Sequence, residues 1–162
     1  MNEFWIIIPA GILLIWRFAA MATKGRRAVR WWNRGIQAIE QADYDSAEQA
    51  LRRCVRLSPI SAPARRLYAR ALMSHGKIRE AEHEVRMATQ LEPRNADGFL
   101  DLGFFLSACA PERNEEAVEA LEKAVALAPN LRGVIAQDER LRPLHELPRF
   151  QALVENEARN QA

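Results

Sequence analysis

Three histidines, two cysteines and a run of carboxylates are the side chains that could do chemistry in this 162-residue sequence, and their spacing decides what they can do. His75, His83 and His145 are scattered, and no H-E-x-x-H, phosphate-cradling glycine loop or G-x-S-x-G elbow accompanies them. Each reads as a surface histidine. Cys54 and Cys109 stand 55 residues apart with no C-x-x-C pair, so neither a structural zinc site nor a disulfide framework is indicated. Both read as thiols, Cys54 in a packing position and Cys109 in a loop. Glu115, Glu116, Glu119 and Glu122 are close in sequence, but helical spacing spreads them over solvated faces, with Glu119 set to pair with Lys123 four residues on. Acid–base catalysis is not indicated, and no cofactor or metal is called for. What the sequence offers instead is binding, through charge, apolar length and helical shape.

Charge is unevenly distributed. The net value is +2, yet residues 1–70 carry 12 Lys/Arg against 5 Asp/Glu, and residues 71–162 carry 11 against 16. A basic end of this kind suits an anionic membrane surface or a nucleic acid. Nucleic acid is disfavoured, because the arginines lack interleaved aromatic platforms beyond Trp31 and Trp32.

The membrane reading rests on the N-terminus. Phe4 to Trp16 carries no charge, and FAAMA after Arg17 extends the apolar character to Ala22. Nineteen helical residues rise about 28 Å, close to the hydrocarbon thickness of a bilayer. Trp5 and Trp16 sit near opposite ends as interfacial aromatics, and Arg17 is near enough to the inner end to snorkel. Two other readings compete. Ala20-Met21-Ala22 resembles a signal-peptide cleavage site, but positive charge follows the apolar run instead of preceding it. A buried core helix is the other, and the segments that follow close a core without it. The basic cluster Lys24, Arg26, Arg27 and Arg30 favours the cytoplasmic side, which predicts a single-pass anchor over residues 1–24 with the C-terminal body cytoplasmic and lipid contacts through residues 4–22.

The remainder repeats. Ala47-x3-Leu51-x2-Cys54-x4-Pro59 is followed by Ala81-x3-Val85-x2-Ala88-x4-Pro93 and Ala117-x3-Leu121-x2-Ala124-x4-Pro129, with prolines 34 and then 36 residues apart. Ala47, Ala50, Leu51, Cys54 and Val55 form one helical stripe, and Asp45 with Glu48 reads as its N-cap and capping partner. Gly35, Ala69 and Gly103 are small enough to let one helix of each pair lie close to the other. A two-residue insertion falls in Ser107–Glu112 of the third unit. After Pro129, a helix from Leu131 to Ala136, proline-broken turns and a last helix near Arg149–Ala158 burying Phe150 and Leu153 are expected.

This pattern resembles the tetratricopeptide repeat, a 34-residue helix–turn–helix unit with W-x2-L-G-x2-Y, then A-x3-F, then P. Trp31 and Gly35 carry the first unit, Tyr68, Ala69 and Leu72 the second, and Phe99, Leu102, Gly103 and Leu106 the third, while Arg65 stands where an aromatic is usual. The resemblance implies an all-α fold of three repeats, about residues 28–61, 62–95 and 96–131 within 25–131. These form a short right-handed superhelix, preceded by one transmembrane helix and closed by a cap and tail over 132–162. It also implies protein binding on the inner face of each first helix, which falls on Trp32, Ile36 and Ile39, then Arg66, Arg70 and Met73, then Asp97, Leu100 and Phe104. Family members that clamp a chaperone's C-terminal carboxylate use lysine and asparagine in the first unit and basic residues in the third. Trp32, Ile36, Asp97 and Asp101 stand there instead, so the groove suits an amphipathic helix or an extended segment with an acidic residue. The same residues also fit a groove filled by the chain's own anchor or tail. The function this predicts is a membrane-anchored adaptor or scaffold, the alternative being an accessory or assembly subunit whose transmembrane helix packs on a larger membrane complex.

Overall fold

The computed structural model describes the backbone of residues 4–155 and the side chains of residue 21 and residues 23–155. Among the residues so described, no helix is long and apolar enough to cross a membrane. The expected span, with Trp5, Trp16 and Arg17, falls, apart from Met21, on residues whose side chains lie outside that description.

Two compact units, residues 1–60 and 61–162, make up the chain. The first is a helical hairpin of α1, Phe4–Glu40, and α2, Tyr44–Leu57. No break separates an anchor from the first repeat, because α1 runs unbroken through Gly25 and the proposed boundary at residue 24. The cap of α2 also differs from the sequence reading. Asp43, not Asp45, accepts the Ser46 N–H at 3.0 Å, while Asp45 lies in the first turn, where a negative charge still favours the helix dipole. The predicted stripe is confirmed residue by residue, with Ala47, Ala50, Leu51, Cys54 and Val55 all buried.

The second unit stacks two such pairs and a cap. Helices α3 (Ala62–Ser74) and α4 (Ile78–Leu91) pack together, as do α5 (Ala96–Cys109) and α6 (Asn114–Leu127), and α4 also packs on α5. Ser61 caps α3 by accepting the Ala64 N–H, with Pro63 in the first turn, and Asn95 caps α5 by accepting from Asp97 N–H at 3.0 Å. Beyond α6 come α7 (Leu131–Gln137), a 3-10 segment Glu139–Leu144 and α8 (Pro148–Glu155). They bury Ile135, Leu141, Leu144 and Phe150, and the His145 ring stacks on Phe150 at 5.2 Å. Leu153, expected inside, is only half-buried.

The insertion in the third unit is ordered as a 3-10 turn, Pro111–Arg113. Its Arg113 donates to Glu82 on α4 at 2.7 Å and to Glu116 at 2.8 Å, and Arg86 donates to the same two carboxylates at 2.9 and 2.6 Å. Partial burial works against the charge of both glutamates, yet the two guanidiniums outweigh it and hold both carboxyls below their usual range. Arg86 and Arg113 together thus tie α6 to α4.

Two close approaches fix the pairs. A Cβ on Gly35 would fall 2.6 Å from Leu51 Cγ, and one on Gly103 would fall 2.5 Å from Leu121 Cδ2 and 3.3 Å from the Ala117 carbonyl. Because Leu121 is fully buried and cannot swing into solvent, Gly103→Ala will lower stability by about 1–3 kcal/mol in urea unfolding. Gly25→Ala, where nothing lies within 4 Å, will not lower it. The turns offer the opposite test. Ala42, at φ 55°, occupies the left-handed conformation that Gly76 adopts at φ 69° one repeat later, and a Cβ there is strained. Ala42→Gly will therefore raise stability by about 0.5–1 kcal/mol in the same assay.

Candidate functional site

The candidate binding residues divide between the two units. In the first, Trp32, Ile36 and Ile39 lie on α1 and are each half-buried. Their neighbour Trp31 has the more specific surroundings. The Arg53 guanidinium, from α2, lies 4.5 Å from the centre of the indole and that of Arg34 lies 5.6 Å away, both within cation–π range. Two open hollows meet at this ring. One of about 390 Å³ is lined by Arg27, Arg30, Trp31 and Arg34, and one of about 270 Å³ by Arg27, Trp31, Arg53, Arg56 and Leu57. The sequence pattern singles out Arg27 and Arg30 of α1 but not Arg34, Arg53 or Arg56. The signal was available, since a hairpin returning at Asp43 brings the end of α2 level with the basic stretch of α1.

In the second unit, Arg66 departs from the expected role of a free fork for a partner's carboxylate. It lies on α3 and is already engaged from α5, by Asp97 at 3.0 Å and, more closely, by Asp101. Burial disfavours its charge, but the two carboxylates outweigh that and hold the guanidinium charged. Residues 31 and 35 apart meet here because stacked repeats bring positions about one period apart together. That relation was the overlooked clue. Arg70, one turn further along α3, is exposed and makes no ion pair among the described residues, with Met73 half-buried beside it.

Phe104 on α5 is also partly taken. The Arg140 guanidinium lies 4.0 Å from its ring centre, and Asp138 holds Arg140 in place with carboxylate contacts of 2.9 and 2.6 Å. The Ser107 hydroxyl donates to the Arg140 carbonyl at 3.3 Å, so the 3-10 segment covers this end of α5. Leu100 stays half-buried. What α3 and α5 jointly present is therefore an Arg66–Asp97–Asp101 cluster, in which the guanidinium is already engaged and one negative charge is left over, flanked by Arg70, Met73 and Leu100.

The Trp position of the second repeat shows a local substitution. Arg65 extends to Glu84 on α4 at 2.5 Å, with only 11% and 13% of the two side chains exposed, so an ion pair stands where an aromatic would pack. Cys54 is buried and Cys109, the last residue of α5, is half-buried; burial pushes both thiols up. Among the described residues, no group of three or more His, Cys, Asp and Glu side chains is placed to hold a metal ion.

Known proteins share this architecture. Two models of the tetratricopeptide repeat match the sequence, over residues 38–102 and 112–131, together a little over half of the chain. No curated protein matches it. Among solved structures, the TPR2B domain of yeast Sti1 in its pHsp70 complex superposes with a TM-score of 0.64 at 17% identity, covering 74% of this chain and 96% of that one. The Arabidopsis OM64 TPR domain gives 0.62 at 16% identity over 80% and 96% of the two chains. The first TPR of Spaghetti (RPAP3), bound to the HSP90 peptide SRMEEVD, gives 0.61 at 17% identity over 82% and 94%. At these identities the likeness speaks for the fold alone. With helix pairs at the repeat period, glycines at their close approaches, and family matches over residues 38–102 and 112–131 falling on those helix pairs, this chain belongs to the tetratricopeptide-repeat family.

Proposed function

We propose that this protein is a membrane-anchored interaction adaptor, held by residues 4–22, whose repeats bind a protein segment on the cytoplasmic side. The observation that carries the anchor is the continuity of α1, which joins the apolar stretch to the first repeat with no linker. A helix built this way fixes the repeat domain's first helix at the bilayer, and the basic residues after Ala22 favour the cytoplasmic side. The binding reading is supported by the family and by the α3–α5 face, where exposed Arg70 flanks half-buried Met73 and Leu100. Such a face fits an amphipathic helix or extended segment carrying one acidic residue. A chaperone peptide such as the one bound to the first TPR of Spaghetti (RPAP3) is a poorer fit, since Asp97 and Asp101 stand at positions where the family's chaperone-tail clamps use basic residues.

Two experiments test this. Full-length protein in membranes will resist carbonate extraction, whereas a chain lacking residues 1–24 will be soluble with its helicity retained, because the repeats bury their own apolar stripes. Release of the full chain by carbonate would remove the anchor, and unfolding of the truncated chain would assign the apolar segment to the core. For the binding face, Arg70→Glu will reduce recovery of the partner from mild detergent by about tenfold or more with circular dichroism unchanged. Arg66→Glu is the contrasting variant: a third carboxylate beside Asp97 and Asp101 will lower the melting temperature. Undiminished recovery with Arg70→Glu would refute the face assignment, and stoichiometric co-purification with a membrane complex would favour the accessory-subunit role.

A further inference from the structure

The hairpin of the first unit is electrically polarised along its length. Residues 36–51, around the turn, carry Glu40, Asp43, Asp45 and Glu48 and no Lys or Arg. Residues 23–35 and 52–60, at the other end, carry eight Lys/Arg and no acid. Five of those eight, Arg27, Arg30, Arg34, Arg53 and Arg56, line the hollows around Trp31. Among the described residues, no carboxylate pairs with any of them. In the second unit, by contrast, arginines at the helix faces reach carboxylates of neighbouring helices. Five guanidiniums around one indole repel each other, and cation–π contacts of about 0.5–1 kcal/mol offset that only in part. Such a cluster favours a bound anion.

Position on α1 selects which anion. Arg27 is five residues past Ala22 and Arg34 is twelve past it, so on a continuous helix they stand about 8 and 18 Å beyond the apolar stretch. Leu57 shares a hollow with Arg27, which brings the end of α2 to the same level, and the adjoining Ile60 is 78% exposed, with Met21 at 72%. Arg27, with Arg56 and Leu57 beside it, lies within side-chain reach of the headgroups while Arg34 stands deeper in the aqueous phase, and cations next to exposed apolar residues at that level match a lipid surface better than a nucleic acid or a phosphorylated peptide. We infer that the hollow lined by Arg27, Trp31, Arg53 and Arg56, together with the adjoining one at Arg30 and Arg34, binds the phosphate of an anionic lipid headgroup. The inference rests on the anchor reading above for the choice of lipid. Arginine forks supply the phosphate contacts, and Arg53 and Arg56 make the site a built one, since α2 contributes charge that a simple juxtamembrane basic run lacks.

The test uses the full-length chain in mild detergent, offered phosphatidylglycerol and phosphatidylcholine and read by native mass spectrometry. Retention of phosphatidylglycerol will exceed that of phosphatidylcholine by about tenfold, and Arg53→Gln with Arg56→Gln will bring the two near parity. Lys24→Gln with Arg26→Gln, an equal change of charge outside the hollow, will keep most of the preference. No preference in the unaltered chain, or equal loss in both double variants, overturns the site. Displacement of the lipid by a mixed-sequence RNA oligonucleotide at equal concentration overturns the lipid assignment. Carbonate extraction of the same protein separates the two readings. A chain released by carbonate that still prefers phosphatidylglycerol through Arg53 and Arg56 sinks the anchor and leaves the site; an integral chain without the preference does the reverse.

Discussion

Helices of 13 or 14 residues are marginal alone in water, so each must gain its stability from a neighbour. Here that gain depends on a missing side chain. Leu51 and Leu121 reach full burial because Gly35 and Gly103 leave nothing between them and the opposing helix. The alanines at Ala47, Ala81 and Ala117, each fully buried, keep the same seam narrow in every pair. Once the pairs are this close, the capping side chains and left-handed turns have little freedom. Ala42 accepts an unfavourable backbone conformation at the turn where the next repeat uses Gly76, and the packing of the hairpin holds it there.

Electrostatics are used differently in the two units. In the second, Arg65, Arg66, Arg86, Arg113 and Arg149 each meet a carboxylate on another helix. The more exposed of these, such as Arg149–Glu122, contribute little stability individually, whereas Arg65–Glu84 and Arg66–Asp101 are largely shielded from water. Their geometry is nevertheless specific, since each links residues 19 to 35 apart and so favours one register of the stack. In the first unit the acids of residues 36–51 and the arginines of residues 23–35 and 52–60 are sorted to opposite ends of one hairpin, and among the described residues no carboxylate pairs with the arginines around Trp31. The charge of one unit is directed inward and that of the other outward.

The period of small residues and prolines made the helix pairs legible, and burial of Ala47, Ala50, Leu51, Cys54 and Val55 follows that pattern position by position. Local choices were less so. Asp43 and Asp45 both satisfy the composition rule for a cap, and only the path of the turn decides that Asp43 faces the Ser46 N–H. The binding face was legible in its helices but not in its state. Whether Arg66 is free depends on a residue one repeat away, and whether Phe104 is open depends on Arg140, 36 positions on. Long-range pairing of this sort leaves no local periodicity to read.

The occupation of Arg66 constrains how the α3–α5 face can recognise anything. A partner carboxylate arriving there would have to displace Asp97 and Asp101, exchanging two intramolecular contacts for one or two intermolecular ones and leaving two carboxylates without their cation. Removing a partner from such a cluster costs more than the new contact returns. Recognition therefore shifts to Arg70, which needs no displacement, and to the apolar area of Met73 and Leu100. Affinity on this face then comes from buried apolar surface, while the single accessible guanidinium sets the direction in which a bound segment lies.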